Sequence, residues 1–90
     1  MEEMLISDHA RFEMERRQIE ESMVLEVARA PGQIVAASKG RLVYQSRYFD
    51  SAEGKDMLLR LVVEPRRDSL YLVTVYKTSQ SAKYWQEGQP

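Results

Sequence analysis

The sequence predicts an α+β fold, with two N-terminal helices packed on one face of a four-stranded, mainly antiparallel sheet. Three observations carry this expectation. Residues 8–30 combine apolar side chains at helical spacing with helix-tolerant polar residues, residues 34–77 hold runs rich in Val, Leu and Tyr, and turn-forming segments separate those runs. Short connections between successive strands make antiparallel neighbours, and preceding helices then cover one sheet face.

Each element has a local reason. Ser7 is a suitable N-cap, and Asp8 in the first turn complements the helix dipole. Helix-tolerant residues follow to Arg17, with Glu13 and Arg17 at ion-pair spacing. Gln18-Ile19 reads as a break. Met23, Val24, Val27 and Ala28 then form the apolar stripe of a second helix over about 20–30, which Pro31-Gly32 ends. Strands are expected at 34–37, 41–49, 57–64 and 70–77, with Lys39-Gly40 and the segments 50–56 and 65–69 as turns. The expected organisation is one domain over 1–90, with helices at about 8–30, the sheet at about 33–77 and a C-terminal tail at 78–90.

Composition narrows the chemistry. With 30% charged and 43% hydrophobic side chains in 90 residues, the chain has the balance of an ordinary globular domain rather than a disordered one. It contains no Cys and one His, so a disulfide framework, a thiolate nucleophile and a multi-histidine metal centre within one chain are excluded. No metal site or cofactor is expected. The uncharged run at 70–76 is far shorter than the roughly 20 residues of a membrane helix. Met1-Glu2-Glu3-Met4 is acidic where a secretory signal would be basic, so a cytoplasmic location with no membrane partner is the expectation. The net charge of −1 divides unevenly: eight acids face three bases in residues 1–28, whereas ten bases face six acids in residues 29–90. Such asymmetry marks an anion-binding face or ordinary acidic decoration of helix surfaces.

A register in which Pro65 opposes Leu70, Arg60 opposes Val75 and Arg47 opposes Arg60 gathers Arg47, Arg60 and Lys77 on the sheet face turned away from the helices. Like charges side by side on a sheet repel, so such a cluster calls for an anion, a carboxylate or outward splaying. Guanidinium groups suit phosphate; the competing reading pairs Arg47 and Arg60 with Glu64, Asp56 or Glu53. On the first helix, His9, Glu13 and Arg16 or Arg17 share a stripe. They supply the base, acid and cation that metal-independent phosphodiester cleavage needs, though a lone His there also serves as a cap or packing residue. Lys83, Tyr84 and Trp85 combine cation and aromatics in a pattern suited to single-stranded RNA, or to folding back over the sheet.

His9-Ala10-x-x-Glu13-Met14-x-Arg16-Arg17-x-Ile19, Pro31, Gly40-Arg41-x-x-Tyr44-Gln45-Ser46, Leu59-Arg60-x-Val62 and Thr74-Val75-Tyr76-Lys77-Thr78-Ser79 with Lys83-Tyr84-Trp85 occur in this order. Together they resemble a bacterial domain-of-unknown-function family, number 4258. The resemblance implies an architecture similar to the RelE/ParE-type toxins of toxin–antitoxin pairs, and with it a small metal-independent ribonuclease. On that reading His9, Glu13, Arg60 and Tyr76 are the catalytic candidates. Arg16, Arg17, Arg47, Lys77 and Lys83 are the RNA or phosphate contacts, and an antitoxin protein and RNA are the partners. The alternative is a non-catalytic interaction module or homodimer, suggested by the apolar side chains Val43, Phe49, Leu58 and Val62 on the same sheet face.

Overall fold

The computed structural model describes residues 3–88. The elements run β1 (Glu3–Ile6), α1 (Asp8–Arg16), α2 (Glu21–Arg29), β2 (Gln33–Ala36), β3 (Leu42–Asp50), β4 (Lys55–Pro65), β5 (Ser69–Thr78) and α3 (Ser81–Tyr84). The Ser7 hydroxyl accepts from the Ala10 N–H at 2.9 Å and so caps α1. The helix closes with Gln18 in the left-handed region at φ 55°. There the Ile19 N–H reaches back to the Met14 carbonyl at 2.8 Å, and the Gln18 N–H reaches the Glu15 carbonyl at 3.3 Å. This is the Schellman arrangement, and Met14 and Ile19, which bracket it, both lie in the core.

The sheet is five-stranded and mixed, in the order β1-β5-β4-β3-β2, with β1 parallel to β5 and the other pairs antiparallel. This corrects the expected four-stranded, mainly antiparallel sheet with two N-terminal helices. The added strand is four residues long and pairs Glu3 with Ser69, so neither its period nor its partner is visible locally. Its Met4 and Ile6 pack against the core. A third helix, α3, forms within the expected tail.

The core lies between the helices and one sheet face. Leu59, Leu61, Val63, Leu70, Leu72 and Val75 meet Ala10, Met14, Ile19, Val24 and Val27 there. Burying each such Leu or Val is worth about 1.5–3 kcal/mol. Leu58, Val43 and Val35 are buried on the opposite face, so that face is also partly covered.

Candidate functional site

A single irregularity decides which polar side chains meet. Pro65 pairs with Leu70 and Val63 with Leu72, but Val62 pairs with Thr74, leaving Val73 as an extra residue in β5. Such a bulge reverses the alternation beyond it. Arg60 therefore pairs with Tyr76 rather than Val75, and Lys77 pairs with core-facing Leu59. On the other side Arg60 faces Gln45, and Arg47 faces Leu58. The expected trio of Arg47, Arg60 and Lys77 is thus divided: Lys77 sits on the helix face and the two arginines on the opposite one.

Arg60 is the centre of the opposite face. It is only 9% exposed, yet no carboxylate among the described residues lies within ion-pair distance of it. Its Nε donates to Gln45 Oε1 at 2.8 Å and its Nη1 to the Tyr76 hydroxyl at 2.5 Å. The Tyr84 ring lies over the guanidinium, 4.2 Å from Cζ to the ring centre, and Tyr76 meets Tyr84 edge-on. Among the described residues the Arg60 hydrogen bonds run from Nε and Nη1, and none runs from Nη2.

Buried glutamines continue the chain. Gln45 Nε2 donates to Gln33 Oε1 at 2.7 Å and to the Tyr84 carbonyl at 3.2 Å. Gln33 exchanges two bonds with the backbone of Gln86, donating to its carbonyl at 2.6 Å and accepting from its N–H at 3.0 Å. A desolvated cation costs several kcal/mol unless something compensates it. Here neutral dipoles and π faces compensate in part, and no acid among the described residues neutralises the charge. Around this centre, Arg47 lies 4.2 Å from the Trp85 ring and the Lys83 ammonium 5.3 Å from that of Tyr84. Phe49, two residues beyond Arg47 on the same face, is 65% exposed.

The remaining candidates fall elsewhere. Glu13 is buried and held by Arg16 at 2.8 Å and Arg17 at 2.7 Å. The hydrogen bonds from these two guanidinium groups lower its pKa from 4.5 to about 2. So acidic a carboxyl is a poor proton carrier near neutral pH. Lys77 bonds Asp50 at 3.0 Å, and that ammonium, helped by the backbone N–H of Glu53, holds Asp50 at about 2. Tyr48 donates to the same carboxylate at 3.1 Å. These cations are matched to acids at the end of the helix layer. His9 is exposed on α1, and its side chain makes no hydrogen bond or ion pair with the described residues. The stripe of His9, Glu13 and Arg16 thus lies apart from Arg60 and Tyr76. Sequence reasoning missed Gln33, Gln45 and Tyr84 as members of the Arg60 cluster. The signal for the glutamines was an amide beside an apolar run: Gln33 before Ile34-Val35-Ala36, and Gln45 after Leu42-Val43-Tyr44.

No helix among the described residues is long and apolar enough to cross a membrane. No group of three or more His, Cys, Asp or Glu side chains among them could hold a metal ion. The family described as "Domain of unknown function (DUF4258)" matches residues 6–77, four-fifths of the chain, spanning α1 to β5 and containing Gln45, Arg60 and Tyr76. The chain belongs to this family. No curated protein and no solved structure matches it. The matched residues stop at Lys77, so α3 and the residues that follow it lie beyond them.

Proposed function

We propose that this domain binds single-stranded RNA on the sheet face opposite its N-terminal helices, with Arg60 as the anchor for a backbone phosphate. The observation that carries this reading is a buried arginine that pairs with no acid among the described residues and donates to a tyrosine hydroxyl. A phosphate supplies the missing negative charge and accepts the guanidinium donors. Arg47 adds positive charge, and the exposed Phe49 ring offers a base-stacking surface next to Arg47. Unpaired strands present such stacking faces; duplex RNA does not.

The Arg60–Tyr76 contact favours a second reading, metal-independent cleavage of that RNA. Tyr76 accepts from Arg60, which leaves its own O–H proton to donate. In cleavage the RNA 2′-oxygen bonds to phosphorus after losing its proton to water. Arg60 holds the phosphorane charge, the bond from phosphorus to the 5′-oxygen breaks, and Tyr76 protonates that leaving oxygen. The products are a 2′,3′-cyclic phosphate and a 5′-hydroxyl end. His9 and Glu13 have no part in this scheme.

Fluorescence anisotropy with an unstructured RNA of roughly eight nucleotides tests binding, and the same RNA incubated with EDTA tests cleavage. Arg60→Ala is expected to weaken binding at least tenfold, with Arg60→Lys restoring part of it. Tyr76→Phe should bind like the wild type and lose cleavage. Equal RNA affinity of wild type and Arg60→Ala, or none in either, refutes the RNA reading. Binding without cleavage leaves the first reading standing and removes the second.

A further inference from the structure

We infer that residues 81–87 form a strap that occupies the RNA surface in the manner of a nucleotide strand and must lift before RNA binds. This rests on the RNA reading above.

Five contacts of the strap resemble ones that RNA would make. Tyr84 lays an aromatic face on the Arg60 guanidinium, as a base would, and Trp85 does the same for Arg47. The Glu87 carboxylate stands 4.0 Å from Arg47, a negative charge where a phosphate would lie. The carbonyl oxygens of Tyr84 and Gln86 accept from the buried amides of Gln45 and Gln33. Ring, anion and acceptor thus alternate along one short peptide.

The attachment is also light. α3 has four residues, none of them buried, and its N-cap makes no side-chain bond. No strap residue enters the hydrophobic core cluster, and two glutamine side chains make all its side-chain hydrogen bonds to the sheet. Few apolar contacts and polar anchoring are the marks of a segment that opens locally, without global unfolding. The strap lies outside the residues matched to the family, whereas Arg60 and its strand lie within them. While the strap is down, the apparent affinity for RNA falls by the fraction of molecules in which it is up.

Trp85 is the only tryptophan of the chain, so its fluorescence reports the strap directly. Titration of the full chain with the same unstructured RNA is expected to shift Trp85 emission to the red as the ring leaves Arg47. Gln33→Ala, which removes both bonds to Gln86, should bind that RNA on the order of tenfold more tightly. Glu87→Gln alters only an exposed side chain and cannot unfold the protein; it should bind roughly twofold more tightly. RNA binding with unchanged or weaker affinity in both variants and constant Trp85 emission overturns the strap while leaving the RNA reading intact. Should Gln33→Ala prove unfolded by circular dichroism, Glu87→Gln and the wild-type emission decide. Absence of RNA binding in all three proteins overturns both inferences together.

Discussion

Removing one hydroxyl, in Ser7→Ala, tests how the helix layer and the bulged strand are joined. Ser7 Oγ accepts from the Ala10 N–H at 2.9 Å and donates to the Val73 carbonyl at 3.0 Å. The first bond caps α1; the second satisfies the extra residue of the bulge. Loss of a Ser cap costs about 1 kcal/mol, and loss of a half-buried side-chain hydrogen bond adds about another 1 kcal/mol. The total is roughly 2 kcal/mol, because the bonds involve different partners and neither substitutes for the other. For a domain of this size that lowers the melting temperature by about 8–16 °C. Urea denaturation followed by circular dichroism measures the change through the midpoint, with the slope unaltered. Ser7→Thr retains the hydroxyl and should stay within about 0.5 kcal/mol of the wild type. A Ser7→Ala protein as stable as the wild type would show that the hydroxyl neither caps the helix nor holds the bulge.

Two further outcomes follow from the ionisable groups of the helix face. Glu13 and Asp50 each titrate near 2 in the folded chain, below their ordinary values of 4.5 and 3.8. A depressed carboxyl contributes stability above its unfolded pKa and loses it as the pH falls through the folded one. The urea midpoint should therefore drop between about pH 4.5 and pH 2, and Glu13→Gln should flatten part of that decline; an unchanged midpoint across this window contradicts the ion-pair assignments. Tyr48 shifts the opposite way, because burial and then the Asp50 carboxylate disfavour its phenolate. Its ionisation should lag behind the ordinary tyrosine range in an ultraviolet pH titration, and Tyr48→Phe should remove that lagging step. Its retained proton is a stabilising feature below the ordinary tyrosine pKa that is lost as the pH rises past it.

Much of the helix layer was legible because its signals are local. Ser7, the Gln18-Ile19 break and the stripe of Met23, Val24, Val27 and Ala28 act through neighbours three or four residues away. β1 was not legible, since four residues with two inward side chains carry no period that separates a strand from an extended lead-in. Of the proposed site, the expected arginines were placed on the correct sheet face, and Lys77 was not. Alternation carried over the stretch 70–77 predicts Val75 opposite Arg60 with Lys77 on the same face; the unpaired Val73 puts Tyr76 opposite Arg60 and turns Lys77 to the helix face.

The amino-acid sequence alone determined the residue types available for chemistry: cations and aromatics without cysteine, and a single histidine. Composition and local spacing need no partner to be read. Tertiary structure decided which of those groups share an environment. It paired Lys77, Arg16 and Arg17 with acids and left Arg60 buried without one among the described residues, under Tyr84 and against Tyr76. The physical reason is that side-chain direction in a strand has a period of two, so one bulged residue, set by long-range pairing, reassigns every side chain beyond it to the other face.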